Sequence, residues 1–145
     1  MLTSRLRYKR LHKFFRSGKP LDIMKIGPST GTFLYIANQN NHNAVGCDVS
    51  EKFVKFARQN YGVRIDNGRF ESLPYKKESF DRILMFNVIE NVPNLEDLIK
   101  SIHLRLKPNG LFIFNHVPMS NNIIEAIQKE NYFMYRPPIC YMFAR

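Results

Sequence analysis

A chain of 145 residues, 44% hydrophobic and 23% charged, has room for one domain and enough apolar content to bury a core, which excludes a wholly disordered protein. No run of about eighteen apolar residues occurs, which excludes a membrane-spanning helix. The net charge of +10 is uneven: residues 1–19 hold seven basic residues and no acid, whereas the other 126 residues carry 15 bases and 12 acids, so a basic surface spread over the whole molecule is not expected.

Residues 2–17 read as a basic helix with an apolar stripe of Leu2, Leu6, Leu11, Phe14 and Phe15, ended by Gly18 and Pro20. Leu21–Ile26 is a short strand, and Gly27–Gly31 a tight loop. A second helix follows from about Thr32 to Gln39, then a second strand over Ala44–Asp48. Ser50 is placed to cap a helix reaching Asn60, with Phe53, Val54, Phe56 and Ala57 turned inward. Val63–Asp66 forms a brief third strand, and residues 67–79 a loop. Phe80–Asn87 is apolar enough to be a strand buried on both faces. Leu95, Leu98, Ile99, Ile102 and Leu106 recur at helical spacing. Lys107-Pro108-Asn109-Gly110 stops that helix before a fifth strand, Leu111–Val117. Residues 120–130 make a last helix.

Strands alternating with helices predict an α/β fold around a mostly parallel sheet with helices on both faces. No repeat or linker interrupts the chain. The reading is therefore one domain over 1–145: a basic helix (1–19), a ligand-binding core (20–117) and a C-terminal helix and tail (118–145). Cys47 and Cys140 form no CxxC pair, and no metal site is expected. Isolated thiols, and a basic start that lacks a following apolar leader segment, point to the cytoplasm.

Ligands of open parallel sheets bind at the carboxyl ends of the strands. The first loop there is Gly27-Pro28-Ser29-Thr30-Gly31, which lets a ligand approach backbone N–H groups closely. Asp48 ends the second strand seventeen residues after Gly31 and can accept both hydroxyls of a ribose. Together they suggest an adenosine-containing ligand. A nicotinamide dinucleotide fingerprint needs G-x-G-x-x-G, but Ser29 and Thr32 stand at its second and third glycine positions.

The run Ile26–Leu34 followed by Val45-Gly46-Cys47-Asp48-Val49-Ser50 resembles the nucleoside-binding half of class I S-adenosylmethionine-dependent methyltransferases (type 11/12 methyltransferase domains). Ala57-Arg58, Phe70–Tyr75 with Ser79-Phe80-Asp81, Val88-Ile89-Glu90-Asn91-Val92-Pro93-Asn94 and Leu106-Lys107-Pro108-Asn109-Gly110 resemble later motifs of that family, in order, from about residue 21 to 117. The resemblance implies a Rossmann-like, doubly wound sheet that binds S-adenosyl-L-methionine and methylates a small-molecule acceptor. By it, Gly27, Ser29 and Gly31 would line the methionine part. Asp48 would hold the ribose, and Val49 would press on the adenine. Phe70 and Glu71 would lie at the adenine edge, and Asn87 and Val88 would face the methyl group. It identifies no catalytic side chain, and methyl transfer needs chiefly orientation.

Three departures stand out. Lys25 occupies the position where the family carries an acid for the methionine ammonium, so repulsion of the ammonium and sulfonium is expected. Asp22 is too far from Gly27 to replace that acid. Arg69 and Asn91 replace an acid and a histidine. The chain also stops where the family's full C-terminal strand pair would follow, leaving the fifth strand as an apolar edge to be covered by the tail or by a second copy in a homodimer. A shortened relative with weak or no cofactor binding is the alternative reading. RNA binding through the basic helix is a third, disfavoured by the balanced body of the chain. His103 reads as a surface residue, and His116 as structural or a base; Tyr35 and Tyr75 stay open.

Overall fold

Runs that are apolar at successive rather than alternate positions belong to strands covered on both faces, and they form the centre of the sheet. The computed structural model describes residues 2–15, 18–115, 133–135 and 141–144. Its elements are α1 (Leu2–Leu11), β1 (Asp22–Ile26), α2 (Thr32–Gln39), β2 (Asn43–Asp48), α3 (Glu51–Tyr61), β3 (Ile65–Asn67), β4 (Phe80–Phe86), α4 (Leu95–Arg105), β5 (Leu106–Asn115), β6 (Phe133–Tyr135) and β7 (Tyr141–Ala144). They form one sheet in the order β3-β2-β1-β4-β5-β7-β6. The first five strands are parallel, and the last two antiparallel. The doubly wound α/β architecture expected from the alternation is therefore present.

Side-chain alternation splits the core into two layers. Ile23 of β1 and Leu84 and Phe86 of β4 pack with α1, α2 and α3 through Tyr8, Leu11, Phe33, Leu34, Val54 and Ala57. Met24 and Ile26 of β1 and Ile83 and Met85 of β4 face the other way, against Leu98, Ile99 and Ile102 of α4. Lys25 falls on the α1 side by the same period of two.

The chain ends differ in detail from expectation. The first helix stops at Leu11 and continues as a 3-10 turn over His12–Phe14. Its buried face is Tyr8, Leu11 and Phe15, whereas Leu6 is exposed. A ring ladder replaces the leucine stripe: Tyr8 lies 5.3 Å from Phe15 and 5.9 Å from Phe33, and Phe33 lies 6.3 Å from Phe86. In α3 only Val54 and Ala57 are buried; Phe53 and Phe56 are about 40% exposed, because a helix lying flat on a sheet buries a narrow stripe. β3 starts at Ile65 rather than Val63. β5 starts at Leu106, with Phe80 opposite Leu106 but Arg82 opposite Leu111, so that Lys107–Gly110 bulge out of the ladder.

The exposed edge of β5 is covered by the same chain: β7 pairs with it antiparallel from Leu111↔Ala144 to Phe114↔Tyr141. The full strand pair is lacking, as expected, and an abbreviated pair of three and four residues stands in its place. A homodimer through that edge loses its motive, since the edge is already paired. The expected helix over 120–130 and His116 lie outside the described residues.

At the amino end of the sheet, Lys107 Nζ bridges Asp22 at 2.6 Å and Asp81 at 3.0 Å. Asp22 is thus committed to the end opposite the loop Gly27–Gly31. Among the described residues, no helix is long and apolar enough to cross a membrane.

Candidate functional site

A parallel sheet opens a crevice where the strand order reverses, here between β1 and β4. A cleft of about 740 Å³ lies there. Its floor is the turn from β1 into α2. Gly27 N–H donates to Cys47 O at 2.9 Å, and Gly31 N–H to Pro28 O at 3.1 Å, which folds the loop back on itself. Gly27 has φ +63°, and a Cβ there would sit 2.4 Å from Val88 Cγ2. Only glycine fits both constraints. Gly27→Ala is expected to destabilise the fold by about 2 kcal/mol and to push Val88 out of place. A lowered urea midpoint together with weakened nucleoside binding is the expected measurement; an unchanged midpoint contradicts the close approach.

Of the nine residues expected to bind cofactor, eight line this cleft: Gly27, Ser29, Asp48, Val49, Phe70, Glu71, Asn87 and Val88. Gly31 does not. It starts α2 at φ +79°, where a Cβ would meet Ala57 Cβ at 2.7 Å and Val63 Cγ2 at 2.9 Å, so its smallness serves the packing of α2 on α3 and the segment before β3.

Asp48 is the organised acid of the site. Its Oδ2 accepts from Ser29 N–H at 3.2 Å and its Oδ1 from Ser50 N–H at 2.9 Å, which holds the carboxylate against the loop after β1. Val49 beside it is 70% exposed, an apolar surface with no protein partner to account for it at a cleft wall. Phe70 is fully buried, and the guanidinium of Arg105 lies 5.0 Å from its ring centroid. Arg105 also donates to Leu73 O at 3.0 Å and Tyr75 O at 3.3 Å, so it staples the loop that carries Phe70 and Glu71. Tyr75 Oη donates to Asp66 Oδ2 at 2.8 Å; its role is structural. Asn87 turns the chain at the end of β4 with φ +55°, a conformation that asparagine tolerates better than most residues.

The other wall was not legible from sequence. Ser4 and Arg7 of α1, Phe33, Phe53 and Phe86 all line the cleft. Phe86 reads as core in the strand pattern, and it is buried; yet its ring carries Lys25 Nζ at 5.1 Å and Arg7 Cζ at 4.8 Å from its centroid. Lys25 itself is 4% exposed, and its Nζ donates to Gly27 O at 3.1 Å. Burial first, then Arg7, lower its pKa to about 7, with Asp48 opposing. Arg69 sits exposed on the rim. The Cys47 thiol is buried and pushed up, and so stays protonated and unreactive. Among the described residues, no group of three His, Cys, Asp or Glu side chains is placed to hold a metal ion.

The sheet order and its helices define a Rossmann-like fold, with an acid and a glycine turn at the cleft beside the switch point. The methyltransferase domain family matches residues 24–114, and the chain belongs to that family. It is 35% identical over 92 residues to the uncharacterized protein MJ1252 of Methanocaldococcus jannaschii, a match covering 63% of this chain and 35% of that protein. It is 29% identical over 104 residues to the demethylmenaquinone methyltransferase of Tropheryma whipplei, covering 66% of this chain and 42% of that enzyme. The matched segments thus span less than half the length of these relatives. The crystal structure of an S-adenosylmethionine-dependent methyltransferase from Mesorhizobium loti superposes with a TM-score of 0.78 at 15% identity, over 96% of this chain and 97% of that one; at that identity the likeness is one of fold.

Proposed function

We propose that the chain is an S-adenosylmethionine-dependent methyltransferase acting on a small-molecule acceptor in the cytoplasm. The observation that carries this reading is Asp48, fixed by the Ser29 and Ser50 amides at the carboxyl end of β2 within a family-matching segment. A carboxylate so held has lone pairs left for two ribose hydroxyls, and Val49 offers an apolar face for a base.

The residues present fit the donor's nucleoside half. They do not fit an ammonium at the position of Lys25, where a cation stands in place of the expected acid. These side chains therefore define no particular transfer step, and the acceptor stays at the level of chemical class. The burial of Lys25 favours a second reading: a relative that keeps the fold but binds the cofactor weakly or not at all.

Calorimetric titration with S-adenosylhomocysteine separates the two. Saturable one-to-one binding, with a matching upward shift in thermal midpoint, is the expected result. No heat and no shift at millimolar ligand would leave the second reading standing.

A further inference from the structure

The part of the cleft beyond Asp48 is cationic. Lys25 Nζ and the Arg7 guanidinium both lie against the Phe86 ring, at 5.1 Å and 4.8 Å from its centroid. Among the described residues, neither forms an ion pair with a carboxylate. Lys25 spends one of its three N–H donors on Gly27 O.

The titratable and charged groups that bear on Lys25 are Arg7 from α1 and Cys47 and Asp48 from β2. Of these, Cys47 stays protonated, and Asp48, the one carboxylate among them, is held by the Ser29 and Ser50 amides and forms no ion pair with Lys25. β4 contributes the Phe86 ring. Two cations drawn into one cleft with no carboxylate in ion-pair contact with either are costly alone. They are well suited to an oxyanion, which a lysine ammonium and a guanidinium fork bind by charge-assisted hydrogen bonds.

We propose that this end of the cleft is an oxyanion subsite: it takes an adenine nucleoside whose 5′ substituent presents a carboxylate or a phosphate to Lys25 and Arg7. For an adenosyl amino acid, the carboxylate rather than the ammonium faces β1. The inference rests on the nucleoside reading of the Asp48 end, and it does not depend on methyl transfer. It reverses the expectation from sequence that Lys25 only repels.

The test is calorimetric titration of the full chain at pH 7 with three probes. S-adenosylhomocysteine carries the carboxylate, AMP the phosphate, and 5′-deoxy-5′-methylthioadenosine neither. Lys25→Met is expected to weaken S-adenosylhomocysteine or AMP by about tenfold, the value of one charge-assisted hydrogen bond, and to leave methylthioadenosine within about twofold. The probe that loses more identifies which oxyanion the subsite holds. Arg7→Met, at a half-exposed position, repeats the test should Lys25→Met fold poorly. Lys9→Met, on the exposed face of the same helix, controls for the general positive charge.

Protons should be taken up as the oxyanion binds, because an anion returns Lys25 toward its charged form. Buffers of different ionisation enthalpy read this directly. Unchanged or tighter binding of both anionic probes by Lys25→Met and Arg7→Met, or proton release, overturns the subsite while methylthioadenosine binding keeps the nucleoside reading. If no probe binds any variant, both fall.

Discussion

Asp48→Ala is expected to weaken S-adenosylhomocysteine binding about a hundredfold. The cleft holds this carboxylate in a fixed orientation, by the Ser29 and Ser50 amides at 3.2 Å and 2.9 Å. Two charge-assisted hydrogen bonds to ribose hydroxyls contribute about 3 kcal/mol together, which sets the hundredfold figure. The substitution also strips Ser29 N–H of its acceptor, so the loop after β1 loses the contact that aims it. Asp48→Asn retains an acceptor for one amide and should fall between wild type and Asp48→Ala. Calorimetry with all three proteins is the measurement. An Asp48→Ala protein that binds within threefold of wild type removes the observation on which the proposed function stands.

Lys25→Met is expected to stabilise the protein by about 3 kcal/mol at pH 7, although it removes a hydrogen bond to Gly27 O. Lys25 is held at about 7, below the ordinary 10.5 of the unfolded chain, by burial and by Arg7. The sign follows. Between about pH 7 and 10.5 the unfolded chain carries a proton on Lys25 that the folded chain has largely released, so stability rises with pH across that window. Below about 7 both states are protonated, and the penalty for burying the charge is at its full size. Methionine abolishes this slope and the penalty together. Urea midpoints measured from pH 6 to 10 check it: the wild type should climb and the variant stay nearly level, apart from titrations common to both. Parallel curves with equal midpoints would show that Lys25 is not a buried cation.

These two residues also mark how far sequence carried the site. The place of Asp48 in the cleft was legible because an acid that ends the second strand falls at the carboxyl end of a parallel sheet, beside the glycine loop after the first. Gly27 was legible for the same reason, whereas Gly31 shares the motif and serves helix packing instead. Lys25 was visible as a departure, but its consequence was not. A lysine in a strand can run its stem along apolar surface and leave its charge in water. Only the placement of α1 over the same sheet face as α2 and α3 closes that exit and brings Arg7 to the same Phe86 ring.

The amino-acid sequence by itself determined the alternation of strands and helices, the parallel order of the core and the acid-and-glycine half of the cleft. Each of these follows from local periodicity and turn chemistry within short windows. The tertiary structure decided the cationic wall and the covered edge of β5. Arg7 and Lys25 stand on separate elements with no motif linking them, and β5 and β7 are joined by a long stretch of chain; such pairs meet only when packing and sheet pairing bring separate elements together. Charge next to charge is a property of that assembly, since the energy of a buried cation depends on what surrounds it and not on its neighbours in the chain.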